Sequence, residues 1–138
     1  MEAASVIGIL GFGLHTSRRL YQFYAIAEGA ADEVTTLCNS AKGLASVLQL
    51  VEDTIKNAKN SDALAASVKD SIIGCQVGLD RLGRKVQKIQ RLSSEPSVLN
   101  LRVRLRYAFQ EKTLAKLNGI IHGPLLGHLK LALAALSL

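Results

Sequence analysis

The stretch DEVTTLCNSAKGLASVLQLVEDTIKNA, residues 32–58, decides the fold class of this chain. Its apolar residues recur at alternating spacings of three and four, which places them along one face of an α-helix. This pattern predicts a long amphipathic helix that has Asp32 as its N-cap and ends near residues 59–60. The apolar seam consists of Val34, Leu37, Ala41, Leu44, Leu48, Val51, Ile55 and Ala58.

A second seam of the same kind follows directly. Ser61 or Asp62 is expected to start this helix, and the SSEP sequence at residues 93–96 is expected to end it. The alternation of three and four again predicts a helix with one buried face. Its seam consists of Ala65, Val68, Ile72, Cys75, Leu79, Leu82, Val86 and Ile89.

Helical periodicity also marks the two ends of the chain. Residues 3–25 are strongly apolar at their start and are interrupted by glycines at positions 8, 11 and 13. Residues 110–136 predict a final helix that Pro124 should kink, because proline removes an amide donor. Glycines at positions 119, 123 and 127 of that helix predict a close approach by another helix.

Residues 98–109 differ from the rest, because apolar and basic residues alternate with a period of two. This period is typical of a strand, but a lone strand would have no partner in a helical chain. We therefore interpret the segment as an extended or short helical connector that lies on the bundle.

Together these segments predict one all-α domain over residues 1–138, an up-down bundle of four main helices, or five with the connector. A composition of 49% hydrophobic and 4% aromatic residues, with two prolines, suits a core of aliphatic helices. The apolar last residues lead us to expect that the domain is the N-terminal part of a longer protein.

The net charge of +6 is concentrated in the second half of the chain. Residues 1–80 carry six Lys and Arg against nine Asp and Glu, whereas residues 81–138 carry eleven against two. This asymmetry indicates an anionic partner, either a lipid surface or a nucleic acid, or else a solvated basic face that balances acidic helices. Few aromatic residues accompany the basic ones, so base stacking is disfavoured and an anionic lipid is the better interpretation.

No pattern of a catalytic, metal or cofactor site stands out, and we expect a protein that is not an enzyme. No histidine pairs with another at the i, i+4 spacing of helical metal sites, and the early glycines do not match a nucleotide-binding loop. The carboxylates Glu52 and Asp53 are expected on a solvated helix face. Cys38 and Cys75 fall on apolar seams and are expected to be buried free thiols of a cytoplasmic protein.

The order of several motifs resembles fungal HeLo-like N-terminal domains across nearly the whole chain. These motifs are AASVIGIL at residues 3–10, ADEV at 31–34, LASVL at 44–48 and RLRYAFQEK at 104–112. The resemblance implies a helical bundle at the N-terminus of a fungal NLR-like receptor or related cell-death protein. Such domains are similar in architecture and role to the four-helix domain of the mixed-lineage kinase domain-like pseudokinase.

The resemblance implies a domain that self-associates under a C-terminal regulatory module, moves from the cytoplasm to the plasma membrane and disrupts it. Nucleic acid and cofactors have no part in this role. The alternative is a protein–protein interaction module of an NLR-like signalling protein without direct membrane activity. The residues expected to insert into the membrane are Val6, Ile7, Ile9, Leu10, Phe12 and Leu14. Those expected to contact anionic lipid are Arg81, Arg84, Lys85, Lys88 and Arg91.

Overall fold

The computed structural model describes residues 2–91 and 106–137, and these residues are helical throughout most of their length, with no strand among them. The predicted all-α class is confirmed for this part of the chain. Residues 106–109 form a single helical turn, and residues 98–105 of the predicted connector lie outside the described residues. The helices are α1 (Glu2–Ala25), α2 (Asp32–Lys56), α3 (Ser61–Arg91), α4 (Glu111–Ile120) and α5 (Leu126–Leu136).

The two central seams form the core as predicted. Every seam residue of α2 from Val34 to Ile55 is buried, and so is every seam residue of α3 from Ala65 to Ile89. Ala58 lies beyond the end of α2 and is half-buried. Because burial of one large aliphatic side chain contributes about 1.5–3 kcal/mol, these seams stabilise the helices more than their intrinsic propensity does.

The helix α1 packs against both α2 and α3, and the C-terminal helices also pack against both. Contacts between α2 and α3 themselves are sparse. Along α2 the first helix runs antiparallel, since the backbone at Gly13 lies against Leu48 and the Tyr21 ring lies 5.0 Å from Lys42 Nζ. Hence α1 and the C-terminal helices occupy opposite sides of the pair formed by α2 and α3.

The start of α2 corrects the prediction that Asp32 is its N-cap. Ala31 is extended, with φ −150° and ψ 151°, and its carbonyl accepts a hydrogen bond from the Thr35 amide. Ala31 is therefore the N-cap, and Asp32 is the first helical residue. The negative charge of Asp32 is stabilised there by the positive end of the helix dipole. The reversal before it uses Gly29 at φ +91°, a conformation that favours glycine. The helix ends at Lys56, a little earlier than predicted.

The predicted kink at Pro124 is confirmed. A π-helical segment, Ile121–Leu125, joins α4 to α5, and Gly123 within it has non-helical angles of φ −83° and ψ −148°. Proline lacks the amide that a regular helix requires at this position, so the wider turn absorbs the interruption.

Both cysteines are buried free thiols, as expected. Burial raises the pKa of Cys75 to about 12, and its Sγ lies 3.7 Å from the Leu125 carbonyl oxygen. Burial also raises the pKa of Cys38, with a further contribution from the nearby Glu28 carboxylate. Neither thiol is therefore expected to be nucleophilic at neutral pH.

Close helix approaches occur at other glycines than the sequence suggests. A Cβ at Gly119, Gly123 or Gly127 would meet open space, so the predicted contact along that row is wrong for the described structure. On α3, by contrast, a Cβ at Gly78 would lie 3.0 Å from Leu125 Cβ, and one at Gly74 would lie 2.7 Å from the His128 ring. The small residues that bring α3 and the C-terminal helices together therefore lie on α3.

The close contact that α1 makes at Gly13 allows its packing against α2 and α3 to be tested by substitution. A Cβ there would lie 3.0 Å from both Leu48 Cδ1 and Leu79 Cδ1, whereas one at Gly8 would meet open space. Gly13→Leu should lower the free energy of unfolding by about 1–3 kcal/mol through overpacking. Gly8→Leu, the matched control, should leave it unchanged or raise it by up to about 1 kcal/mol. Urea denaturation followed by circular dichroism measures both; equal effects would contradict the packing.

Candidate anion-binding site

A cleft between the last third of α3 and α4 gathers basic side chains from both helices. It has a volume of about 350 Å³ and lies around Ile120. Four of its cations come from α3 and one from α4. The lining residues are Arg81, Arg84, Lys85, Lys88, Lys116 and Ile120. Four of the five residues predicted to contact anionic lipid thus lie together in one concave site.

Two features of the local sequence build this cleft. The α3 cations follow the spacing i, i+3, i+4 and i+7, which places them on one helical face. The glycine at position 78 lets Leu125 approach the α3 backbone, which brings the preceding helix α4 alongside the basic face. As a result Lys116 projects into the same cleft from the other side.

No acidic residue lines this cleft among the described residues. The ion pairs of Lys42 with Glu28 and of Lys56 with Glu52 involve none of the cleft cations. The Lys88 side chain makes a cation–π contact, with its Nζ 4.6 Å from the centroid of the Tyr107 ring. Like charges held this close repel one another, and an anion bound among them would relieve that repulsion.

One predicted residue lies outside the cleft and one unpredicted residue lies inside it. Arg91 is exposed at the end of α3 but does not line the cleft. Lys116 was missed, because its place depends on α4 packing against α3, a tertiary contact without a local sequence signal. The only available sign was its position on the polar face of the final predicted helix.

An apolar groove continues from the basic cleft toward the kink. It has a volume of about 320 Å³ and shares Arg81, Lys116 and Ile120 with the cleft. The other lining residues are Gly74, Val77, Gly78, Gly119, Pro124 and Leu125. Val77 is 69% exposed, so its side chain is accessible at the edge of the groove.

The residues predicted to insert into a membrane are divided between the core and the surface. Val6, Leu10 and Leu14 are almost fully buried against α2 and α3, and Ile7 and Ile9 are half-buried. Phe12 is 44% exposed, and its ring lies across Gly83 of α3, where a Cβ would approach within 2.8 Å. Insertion by this set therefore requires α1 to leave the bundle.

Polar contacts hold both ends of α1 in place. At its start the Ala3 amide donates a hydrogen bond of 3.1 Å to Asp62 Oδ1 of α3. Near its end Arg19 donates to the Gln90 side chain. The Tyr24 hydroxyl, in the core, donates to the Ala108 carbonyl at 2.7 Å, and burial raises the pKa of Tyr24.

The carboxylate of Glu52, which the sequence predicts to be exposed to solvent, lies beneath the middle of α1. Glu52 is only 8% exposed, so the prediction of a solvated pair is wrong for it, while Asp53 is exposed. The Glu52 carboxylate accepts a hydrogen bond of 3.1 Å from Lys56 Nζ. A Cβ added at Gly11 would lie 3.9 Å from Glu52 Oε2. A Cβ at that distance would be in ordinary van der Waals contact, so the burial of Glu52 does not require a glycine at position 11.

A polar cluster at the kink has a structural explanation. Ser40 Oγ lies 2.7 Å from Asn118 Oδ1 and 2.8 Å from His122 Nε2, which links α2 to α4 and the π-helical segment. No arrangement of three or more His, Cys, Asp or Glu side chains suited to a metal ion occurs within the described ranges.

The kinked helix Glu111–Leu136 is long and apolar enough to cross a membrane, which the sequence analysis did not note. Helices in the cores of soluble proteins meet the same condition. In this structure Leu117, Ile121, Leu125 and Leu129 of the helix are buried against the bundle.

The hydrogen bond from the Ala3 amide to Asp62 can be tested for its contribution to holding the start of α1. Asp62→Ala removes the acceptor of the Ala3 amide and should speed hydrogen exchange in the first turn of α1 by roughly five- to tenfold, about 1 kcal/mol. Asp62→Asn keeps a carbonyl acceptor and should have a smaller effect. Exchange measured by mass spectrometry that is unchanged in Asp62→Ala would show that this bond does not hold α1.

Comparison of the chain with protein-family models, with curated proteins and with solved structures finds no match in any of the three. The resemblance to HeLo-like domains therefore stays a hypothesis that rests on the sequence motifs alone.

Proposed function

We propose that this chain binds an anionic membrane surface through the basic cleft between α3 and α4, as part of a membrane-acting cell-death execution domain. The observation that carries the proposal is the convergence of five cations from two helices around Ile120, beside an apolar groove. Clustered Lys and Arg beside apolar surface suit anionic headgroups, at about 1 kcal/mol for each well-placed charge. The cell-death role rests on the HeLo-like resemblance.

Several features favour a lipid over a nucleic acid. Among the described residues, the cleft contains no aromatic side chain on which a base could stack. The Tyr107 ring, next to the cleft residue Lys88, already packs against the ammonium group of that lysine. The accessible apolar surface next to the cleft comes from Val77 and Pro124, and aliphatic surface matches acyl chains rather than sugar and phosphate.

The second part of the proposal concerns α1. Its buried residues make the folded domain the resting form, in which the apolar face is covered by α2 and α3. Crowding by self-association under a C-terminal regulatory module would release α1, and the uncharged residues 3–17 would then enter the bilayer. We further propose that the four long helical segments form an up-down four-helix bundle, and that the protein moves from the cytoplasm to the plasma membrane.

A protein–protein interaction module is the alternative function. The exposed aliphatic side chains of Val77 and Leu131, at 69% and 61%, are the groups that a protein partner would cover on this alternative. On this alternative the domain forms a defined oligomer or a tight complex that is indifferent to lipid.

Charge removal from the cleft tests the proposed function. The variant Arg84→Gln/Lys85→Gln/Lys88→Gln should bind vesicles containing anionic lipid at least about tenfold more weakly at low salt, since three well-placed cations are lost. The control Lys59→Gln/Lys112→Gln/Lys130→Gln changes the net charge equally at exposed sites outside the cleft. It should weaken binding by less than about threefold. Vesicle co-sedimentation measures all three proteins.

Equal losses in the two triple variants would show that net charge, not the cleft, attracts the membrane. Failure of the folded wild-type protein to bind anionic vesicles, together with a defined oligomer in size-exclusion chromatography, would favour the interaction module instead.

A further inference from the structure

The apolar groove beside the basic cleft is an unusual feature for a surface that only attracts lipid headgroups. Electrostatic attraction to a membrane requires exposed cations but no concave apolar surface. Here the groove and the cleft are continuous, because Arg81, Lys116 and Ile120 line both. A ligand that fills both must therefore carry negative charge at one end and hydrocarbon at the other.

The walls of the groove explain why it is open. Gly119 on α4 contributes no side chain to the lining, whereas the space at Gly74 and Gly78 on α3 is occupied by the His128 ring and Leu125. Pro124 adds an apolar ring without an amide donor. A Cβ at Gly119 would meet no atom within 4 Å, which shows that the space above this residue is empty.

The size and chemistry of the two cavities fit one amphiphile. Each has a volume in the lower part of the range for small-ligand sites, which is about 300–1,000 Å³. Five cations with no acidic residue among the described lining residues suit a phosphate, which accepts hydrogen bonds from several donors. The adjoining accessible side chains of Val77 and Pro124 suit the first methylene groups of an acyl chain.

We infer that the basic cleft and the apolar groove form one binding site for a single phospholipid, with its phosphate among the cations and an acyl chain in the groove. This inference rests on the proposed function, because it specifies how the same cleft engages anionic lipid. The protein would then bind an individual lipid molecule stoichiometrically as well as a charged surface. The phosphate and chain could come from a bilayer or from a free single-chain phospholipid.

Gly119→Leu is the variant that separates this site from surface electrostatics. It fills the groove from a position with room for a Cβ and changes no charge. Leucine also has the higher helix propensity, so the fold is not at risk. Gly127→Leu is the matched control, because Gly127 is likewise exposed with open space at its Cβ but does not line the groove.

The experiment is calorimetric titration with a single-chain lysophosphatidic acid below its critical micelle concentration, and with glycerol 3-phosphate as the headgroup alone. Wild type and Gly127→Leu should bind the lysolipid at least about tenfold more tightly than the headgroup, as burial of two or more methylene groups implies. Gly119→Leu should lose that preference and keep its affinity for the headgroup. Lys116→Gln should weaken binding of both ligands, unlike Lys112→Gln, which lies outside the cleft.

Equal lysolipid affinity in Gly119→Leu and Gly127→Leu would overturn the inference, and so would a lysolipid bound no more tightly than glycerol 3-phosphate. In either case binding of wild type to anionic vesicles would leave the proposed function standing. Absence of binding to anionic vesicles as well would overturn both.

Discussion

Close approach of helices at glycines determines where the surfaces of this protein lie. At Gly13 the backbone of α1 lies against leucine methyl groups of α2 and α3, and at Gly78 the backbone of α3 lies against Leu125. The first contact draws an apolar helix into the core. The second brings α4 beside the basic end of α3, and both the cleft and the groove follow from it. A side chain at either glycine would separate helices whose contacts define these sites.

The burial of α1 sets the energetic problem that its proposed role must solve. Val6, Leu10 and Leu14 each contribute about 1.5–3 kcal/mol by leaving water, so spontaneous release of the helix from the monomer is rare. Insertion into a bilayer would bury the same side chains again, which offsets most of that cost. The hydrogen bonds that α1 makes through Ala3, Arg19 and Tyr24 would remain to be broken, and a trigger has to supply that difference.

Much of the fold could be predicted from the sequence. The apolar seams of α2 and α3 repeat without interruption, and residues at this spacing lie on one face of a helix, which is then the buried face. The kink at Pro124 was equally predictable from the missing amide. The N-cap of α2 was not, since an extended alanine replaced the acidic residue that usually caps. The burial of Glu52 was also missed, because it depends on how α1 packs against α2, a tertiary contact that the pattern of α2 alone does not contain.

The candidate site was predictable only along one helix. Four cations of α3 share a face by their spacing alone, and the structure brings those four together. Lys116 and the apolar groove arise from how α4 and the kink pack on α3, which a one-dimensional pattern does not contain. The glycines of the last helix gave a misleading signal for the same reason: they line open space, and the close contacts use glycines of α3.

The central claim is that anionic membrane binding is followed by entry of α1 into the bilayer. An environment-sensitive fluorophore at Gly8→Cys tests it most directly, because that position is exposed and both native thiols are buried. The account predicts that, once the protein is crowded by self-association on anionic vesicles, lipids brominated in their acyl chains quench the probe, whereas neutral vesicles leave it unquenched. Self-associated protein that binds anionic vesicles while the probe stays unquenched would contradict it.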